Sequence, residues 1–364
     1  MDIVALSHLR WDFVFQRPQH LLSRAAREHR VLFVEEPLEC DEFGFDQREV
    51  LPNVTVLVPR VPASMPPSHV EASLAVELRH RVTAWAEDRL VVWHYSVMAE
   101  PLSRHLDPAV LVFDCMDELS AFRDAPPELV ARERELIARA DLVFTGGHSL
   151  WEAKRDLHRS VHPFPSSVDV PFFAAARGDL PEPSALAGLG RPRLIYAGVI
   201  DERIDLSLLA RLAHAGIGDV VLAGPIVKID PADVPRHPRL HGLGMRPYAE
   251  LPSLFSHADV GLMPFAINAA TRFISPTKTP EYLAAGLPVV STPIADVVRT
   301  YGDLPSVGIA AEPDAFVAAC ELALATRGPD PAADERLAGM SWDATWSAME
   351  RLILNAAQRA DSAA

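Results

Sequence analysis

Short apolar runs recur along the first half of the chain, and helix-like segments separate them. The runs are bounded by turn residues and cover residues 3–6, 31–34, 54–58, 90–93, 110–113 and 142–144. Between several of them the pattern predicts helices, at residues 18–27, 69–87 and 127–140. Short β-rich runs that alternate with helices are typical of a parallel sheet covered on both faces. The first half is therefore predicted to be a doubly wound α/β domain.

The second half repeats this pattern. Its apolar runs cover residues 194–196, 220–222, 260–263, 288–291 and 307–310. Residues 171–193 are rich in Pro, Gly and Ala and lack periodicity, which is typical of a connection between domains. The predicted division is an N-terminal domain at 1–172, a linker at 173–191, a second α/β domain at 192–340 and a C-terminal helix at 341–364.

The C-terminal segment begins with a polar, Pro-containing break after Asp330 and continues as a helix over residues 341–359. Trp342 and Trp346 stand four positions apart in it, a spacing that is most often found in core packing.

The length and composition of the chain indicate a globular protein with more than one domain. The 364 residues exceed what one hydrophobic core usually serves, and 49% hydrophobic with 23% charged residues is a globular profile. No apolar run approaches the ~20 residues that span a bilayer. The N-terminus lacks a basic flank followed by an apolar segment, so we expect a cytoplasmic protein.

Charge and cysteine content exclude two kinds of site. A formal net charge of −15 argues against general nucleic-acid binding, because a phosphate backbone would be repelled, and only a local basic patch could reverse this. Cys40, Cys115 and Cys320 are odd in number and far apart, which fits a reducing compartment and gives no disulfide framework or metal-ligand spacing.

Residues 273–292 carry the strongest chemical signal. Ser275 and Thr277 precede a predicted helix that begins near Lys278, so free backbone N–H groups and a cation would form an anion pocket. Glu281 lies on the same face, three residues later. These groups suit a sugar nucleotide, with the donors on the pyrophosphate and the carboxylate on the ribose. The alternative is an ordinary βαβ unit, with Gly286 as a C-cap and both charges on a wet helix face.

The stretch also resembles the signature of nucleotide-sugar-dependent glycosyltransferases of the GT-B fold, often labelled group 1 or family 4-like. The matching residues are Pro276, Lys278, Glu281, Tyr282, Leu283, Ala284, Ala285, Gly286, Pro288, Val289 and Val290. The resemblance implies two Rossmann-like domains that face each other across a cleft, with the acceptor in the first and the nucleotide sugar in the second. It departs at Phe273, where many retaining members carry a second Glu, so the donor sugar and the stereochemical course stay open.

The resemblance implies a hexosyltransferase that uses a UDP- or GDP-sugar as co-substrate. Its acceptor would be a glycan or a lipid-linked sugar in cell-surface polysaccharide or glycoconjugate synthesis. No metal is required, because the chain has no Asp-x-Asp pair and cations can neutralise the leaving diphosphate. Two alternative functions remain. A sugar-nucleotide 2-epimerase would need an acid and a base near the donor sugar, and the absence of a carboxylate at Phe273 does not favour it. The same absence favours a pseudo-enzyme that only binds nucleotide sugar or an assembly partner.

Ligands of open parallel sheets bind at the carboxyl ends of the strands. The loops that follow the predicted strands of the second domain are therefore candidates for further ligand-binding residues. Gly198 and Gly224 end the first two strands of the second domain and let a ligand approach the backbone. By resemblance, Arg203 joins Lys278 at the pyrophosphate; the alternative is a surface Arg paired with Glu202 or Asp205. By resemblance also, the nucleobase lies near Arg246 and Tyr248. Residues that we expect to face the donor sugar in place of the missing Glu are Asn268 and Thr271.

The first domain is expected to bind the acceptor. Residues 7–20 resemble a segment of bacterial polysaccharide-assembly glycosyltransferases, matched by Trp11, Gln16, Arg17, Pro18 and Gln19. Arg17 would hold a phosphate or carboxylate of the acceptor, and Trp11 and Gln19 would contact it. The alternatives are a helix-end salt bridge for Arg17 with the aromatic residues in the core, or peripheral docking of those residues on a membrane surface.

Two strand ends offer a catalytic base for inverting transfer, which needs a proton acceptor within hydrogen-bond reach of the acceptor hydroxyl. The candidates are Asp117 and His94, and the resemblance favours Asp117. Asp114 is expected to satisfy local backbone donors instead. Retaining enzymes of this fold can dispense with a protein base.

Overall fold

Two sheets of buried strands organise the chain into two units. The computed structural model describes residues 1–326, 328 and 330–363. The first unit contains Met1–Ser120, Asp124–Pro165 and the C-terminal residues from Asp343, and the second contains Ala121–Arg123 and Ser166–Trp342. In the described part of the chain, no helix combines the length and apolar character that a membrane crossing needs.

The strands, in chain order, are β1 (Asp2–Leu6), β2 (Arg30–Val34), β3 (Leu38–Cys40), β4 (Gly44–Leu51), β5 (Val54–Pro62), β6 (Leu90–His94), β7 (Val110–Cys115), β8 (Leu142–Thr145), β9 (Val161–Pro163), β10 (Arg193–Ala197), β11 (Asp219–Ala223), β12 (Leu240–Gly244), β13 (Val260–Met263), β14 (Val289–Ser291) and β15 (Val307–Ile309).

The α-helices are α1 (Arg17–Ala25), α2 (Pro67–Trp85), α3 (Glu100–Ser103), α4 (Leu129–Arg139), α5 (His148–Lys154), α6 (Val170–Ala174), α7 (Leu206–Ala215), α8 (Leu251–Ser256), α9 (Lys278–Ala284), α10 (Ala295–Tyr301), α11 (Pro313–Ala325), α12 (Pro331–Ala338) and α13 (Trp342–Ala363). Short 3₁₀ helices are Val97–Ala99, Leu119–Ala121, Ala175–Arg177, Ser184–Leu186, Pro231–Asp233 and Tyr248–Glu250.

The first sheet has the order β3-β5-β2-β1-β6-β7-β8-β9, with β4 paired to β5. Every pairing is parallel except the antiparallel β4–β5 hairpin at the edge. Ile3 of the central strand stands opposite Val31 and Val91, and all three side chains are fully buried. The predicted parallel sheet is confirmed, and the polar edge strand β4 was not predicted.

The second sheet is parallel throughout, in the order β12-β11-β10-β13-β14-β15. The chain runs outward from β10 to β12 on one side and returns to β13 on the other. The loops that follow β10 and β13 therefore diverge at a topological switch point, which is where ligands bind in open parallel sheets.

Two segments that were predicted to be irregular, the linker at 173–191 and the break after Asp330, are more structured than their composition indicated. Residues 173–191 are counted with the second unit, and Phe173, Ala176 and Leu186 are buried in its core. The prediction of an irregular break after Asp330 is wrong, because helix α12 begins at Pro331. The Asp330 carboxylate caps it by accepting hydrogen bonds from two backbone N–H groups.

Helix α13 packs on the first unit through its buried face. Trp346 stacks on Trp93 with ring centroids 6.2 Å apart, and Met349 and Ile353 have no exposed surface. The Asp343 carboxylate at its start accepts hydrogen bonds from Arg24 and Arg27. Trp342 and Trp346 are both buried, as their spacing predicted.

We expect Trp346→Ala to lower the free energy of unfolding of the first unit by about 3–5 kcal/mol, because the cavity removes the contact with Trp93. Urea unfolding followed by far-UV circular dichroism measures this. Leu354→Ala on the same helix is the control, since Leu354 is 38% exposed. Equal effects of both substitutions would show that α13 is not anchored through Trp346.

Candidate functional site

Two glycines bring the loops after β10 and β11 into contact at the carboxyl edge of the second sheet. The Gly198 N–H donates to the Ala223 carbonyl over 2.9 Å. A Cβ on Gly224 would lie 1.8 Å from the Gly198 carbonyl oxygen, so no larger residue fits there. A Cβ on Gly198 would lie 3.2 Å from Cε of Lys278. The structure thus brings together three of the predicted donor-site residues, Gly198, Gly224 and Lys278.

Lys278 and Glu281 form an ion pair at the start of α9. The Lys278 ammonium donates to Oγ1 of Thr277 over 3.0 Å and lies 3.5 Å from Oε2 of Glu281. Glu281 is only 3% exposed, and its Oε2 accepts no hydrogen bond from any described residue. Burial raises the pKa of Glu281, and the Lys278 charge opposes that rise.

The alternative, in which both charged side chains lie on a solvent-exposed helix face, is therefore wrong for Glu281. The part of that alternative that makes Gly286 the glycine at the helix end agrees with the structure. Gly286 follows the C-cap residue Ala285 and has φ +80, which is the left-handed conformation expected of a glycine at the end of a helix. A buried carboxylate with spare acceptor capacity can receive hydroxyl groups, and the neighbouring ammonium can receive a phosphate.

Tyr282 fixes α9 against the sheet. Its hydroxyl accepts a hydrogen bond from the Ala197 N–H at the end of β10 over 2.8 Å. Its ring covers Gly261 of β13, where an added Cβ would lie 2.5 Å from the ring carbons. The resemblance matched Tyr282 without assigning this role, and Gly261 carried no signal in the sequence. Together they hold Lys278 and Glu281 at the switch point.

Arg203 lies in the loop after β10 and is held by Asp201. Its Nε and Nη2 donate to both carboxylate oxygens of Asp201 over 2.7–3.1 Å. The alternative for Arg203, an ion pair with Glu202 or Asp205, is wrong, because the carboxylate that it binds is that of Asp201. Glu202 pairs with Arg123, and Asp205 caps α7 by accepting from the Leu208 N–H.

Arg246 and Tyr248 make contacts within the second unit. The Tyr248 ring stacks on Phe172 with centroids 4.9 Å apart and an interplanar angle of 4°. It also meets Phe173 edge-on at 5.7 Å. Arg246 forms an ion pair with Glu250 at 3.5 Å. One face of the Tyr248 ring is thus occupied by α6, and a nucleobase near Arg246 and Tyr248 stays a prediction.

Asn268 and Thr271 close their own loop. The Asn268 N–H donates to Oγ1 of Thr271, and the Thr271 N–H donates to Oδ1 of Asn268, both over 3.1 Å. The Thr271 hydroxyl donates in turn to the Ala266 carbonyl over 2.5 Å. Their polar groups therefore shape the turn before α9. The Ser275 carbonyl accepts a hydrogen bond from the Ser166 hydroxyl over 2.6 Å, which holds the next part of the loop.

In the first unit, the residues expected to bind the acceptor stabilise the loop after β1. Arg17 is 5% exposed and donates to the fully buried Asp114 over 2.9–3.1 Å and to the Phe164 carbonyl over 2.7 Å. Gln19 donates to the carbonyl oxygens of Trp11 and Val14. The salt-bridge alternative for Arg17 agrees with this geometry. The expectation that Asp114 satisfies local backbone donors is wrong, because its partner is Arg17.

The two candidate bases have different environments. His94 has no exposed surface, and its ring nitrogens lie 3.2 Å from the Ser96 carbonyl and 2.8 Å from the Ser103 hydroxyl. Burial lowers the pKa of His94 to about 4. Asp117 is partly exposed and follows β7 beside a small pocket whose walls include Tyr95 and Cys115. Only Asp117 is open to a ligand.

Among the described residues, no group of three His, Cys, Asp or Glu side chains is arranged to hold a metal ion. The three cysteines are free.

Comparison of the sequence with known proteins finds one kind of relative. No family model matches the chain. The Bacillus subtilis (strain 168) protein TuaH, whose name proposes a teichuronic acid biosynthesis glycosyltransferase, is 24% identical over 262 residues. The match covers 67% of this chain and 66% of that protein, so the chain spans just under two thirds of its length.

Solved structures match nearly the whole chain. Sucrose-phosphate synthase from Thermosynechococcus elongatus has a TM-score of 0.71 at 16% identity, covering 97% of this chain and 98% of that one. Starch synthase IV of Arabidopsis thaliana, bound to ADP and acarbose, has 0.68 at 10%, covering 98% and 99%. An E. coli trehalose-6-phosphate structure bound with UDP-2-fluoro glucose has 0.64 at 14%, covering 100% and 98%. The GT-B fold that the resemblance implied is confirmed.

We expect Glu281→Gln to become more stable relative to the parent as pH rises. Because the pKa of Glu281 is raised in the folded state, the parent loses up to about 1.4 kcal/mol of stability per pH unit between the unfolded and folded pKa values. The glutamine carries no such proton. Urea unfolding at pH 5, 6.5 and 8 measures the difference.

Glu321→Gln is the control, since Glu321 is exposed on α11 of the same unit. A Glu281→Gln difference that stays constant with pH would mean that the Glu281 carboxylate titrates as it does in water.

Proposed function

We propose that this protein transfers a hexosyl group from a nucleotide-diphosphate sugar to a glycan or lipid-linked acceptor in cell-surface polysaccharide or glycoconjugate synthesis. The observation that carries the proposal is the buried Glu281 carboxylate beside Lys278. It lies at a switch point where Gly198 and Gly224 bare the backbone. A buried carboxylate whose Oε2 accepts no hydrogen bond from the described residues suits the hydroxyls of a ribose, and the adjacent cation suits the diphosphate.

The comparisons support this donor class. Two structures of the same fold were solved with UDP-2-fluoro glucose and with ADP and acarbose, respectively. We assign the nucleotide here to UDP or GDP. The acceptor and pathway rest on the name of the Bacillus subtilis relative, which refers to teichuronic acid biosynthesis.

The residues divide the reaction between them. As the bond from the anomeric carbon to the phosphate oxygen breaks, Lys278 and Arg203 stabilise the charge that develops on the leaving diphosphate. The acceptor oxygen bonds to the anomeric carbon and gives its proton to Asp117. His94 is a weak candidate for this step, since both of its ring nitrogens face protein groups inside the core.

We place the acceptor near Asp117 and Trp11, with Arg17 and Gln19 as residues that hold the surrounding loop. Arg17 is buried and paired with the buried Asp114, so its guanidinium is held inside the first unit and is not presented to an acceptor phosphate. We also propose a cytoplasmic location with peripheral association to the inner face of the membrane. Trp11 and the 37% exposed Phe15 are the residues that would touch lipid.

A binding-only module is the second candidate, favoured by Phe273. Its side chain lies under the Arg272 guanidinium, 5.1 Å from Cζ to the ring centroid, where many retaining relatives would place a carboxylate. Such a protein would bind nucleotide sugar or an assembly partner and release no sugar. Incubation with UDP-, GDP- and TDP-sugars separates the two, because slow hydrolysis of one donor shows an enzyme and its absence with intact binding shows a module.

We expect Lys278→Ala to weaken UDP or GDP binding about 10- to 100-fold, the value of one charge-assisted hydrogen bond of about 1.5–3 kcal/mol. Isothermal titration calorimetry measures it. The matched control is Arg211→Ala, which removes a surface cation paired with Asp314 in the same unit. Unchanged affinity in Lys278→Ala would remove this residue from the site.

We expect Asp117→Asn to lower donor turnover at least about 100-fold with unchanged nucleotide affinity, because the amide cannot take the acceptor proton. The control is Asp124→Asn, an exposed carboxylate that follows on the same loop. If Asp117→Asn turns over like the parent, the reaction uses no protein base at this position.

A further inference from the structure

An aromatic ring links two cations at the carboxyl edge of the second sheet. The ring of Phe122, from the segment Ala121–Arg123, lies 5.5 Å from Cζ of Arg203 and 5.1 Å from Nζ of Lys228. Since both distances end at the same centroid, the two charges are no more than about 11 Å apart. The Arg123 N–H and guanidinium hold the segment on Glu202, at 3.0 and 3.4 Å.

Lys228 reaches this position because the loops after β10 and β11 continue the pairing of their strands. The Ile200 N–H donates to the Pro225 carbonyl over 2.9 Å, and the Val227 N–H donates to the Ile200 carbonyl over 3.0 Å. Lys228 is the next residue and has φ +60, a left-handed conformation that glycine or asparagine adopts more readily. The backbone is therefore strained at the residue that presents the cation.

Two of the three cations at this edge of the sheet pair with a carboxylate, and Lys228 does not within the described chain. Arg203 shares its charge with Asp201, and Arg123 pairs with Glu202. Lys228 is exposed and, within the described chain, forms no ion pair with a carboxylate. A strained residue that carries an unmatched cation at a ligand edge is a reason to look for an anionic ligand.

We infer that Lys228 is a second cation for the diphosphate of the donor, and that Phe122 is a positioning residue that keeps Lys228 beside Arg203. The inference rests on the proposed function and adds the loop after β11 to its binding site. A ring face attracts a cation less strongly than a phosphate oxygen does, so the ammonium can turn from Phe122 to the ligand.

The test compares Lys228→Gly and Lys228→Arg with the parent, with UDP and uridine as probes in calorimetry. We expect Lys228→Gly to weaken UDP binding about 5- to 30-fold and to leave uridine binding unchanged, because uridine has no phosphate. Lys228→Arg should restore most of the affinity. Thermal unfolding should show Lys228→Gly at a higher melting temperature than the parent, since glycine relieves the left-handed backbone.

Phe122→Leu tests the positioning role. It should weaken UDP binding less than Lys228→Gly does, and the double variant should bind UDP no more weakly than Lys228→Gly alone, because Phe122 acts through Lys228. Uridine binding should again be unchanged. Additive losses in the double variant would overturn the positioning role.

The failures of the two proposals are distinguishable. If Lys228→Gly binds UDP like the parent while Lys278→Ala loses affinity, the inference about Lys228 is wrong and the proposed function stands. If the parent binds neither UDP nor GDP, both are wrong. Should GDP alone bind, the same comparison is made with GDP and guanosine.

Discussion

A buried carboxylate at the start of a short helix is the constraint on which the second unit depends. Removing an ionised group from water costs several kcal/mol unless a partner compensates it. Glu281 has one cation, Lys278, at 3.5 Å and no hydrogen-bond donor on Oε2. The fold thus maintains a group that is more costly than stability alone requires. Stability alone would favour an amide or an apolar side chain at this position.

The surrounding residues restrict the position of this pair to a narrow range. Tyr282 hydrogen-bonds the end of β10 and lies against Gly261, where a Cβ would not fit. Gly224 meets the Gly198 carbonyl with no room for a side chain. These contacts come from β13, from helix α9 and from the carboxyl ends of β10 and β11 with the loops that follow them, so a small shift of any of them would misplace the ion pair. Precise placement of this kind is what binding a diphosphate through few groups demands.

The sequence predicted the strands well where both faces are buried. Residues of β1 and β10 have continuous apolar runs because helices cover both sides of a parallel sheet. The hairpin strand β4 was not predicted, since its residues GFDQREVL are mostly exposed and alternate without an apolar face. Helix α12 had a visible signal, Asp330 followed by Pro331, yet its polar composition resembles that of a loop.

The chemistry of the site was predictable only where spacing along the chain sets it. Lys278 and Glu281 are three residues apart in one helix, so their proximity follows from helix geometry. Arg17 and Asp114 are 97 residues apart, and their pairing depends on the packing of β1 beside β6 and β7. The same is true of Phe122 and Lys228, which no local pattern connects.

The two costly features of the second unit lie at the same edge, and this coincidence favours an anionic ligand over a purely structural explanation. A raised pKa at Glu281 and a left-handed backbone at Lys228 each lower stability, and they belong to different elements, helix α9 and the loop after β11. If either were an accident of packing, a neutral or small residue would remove the cost at once. Both positions instead keep a charged side chain at the edge of the sheet where ligands bind, which an anionic ligand explains and an ordinary βαβ unit does not.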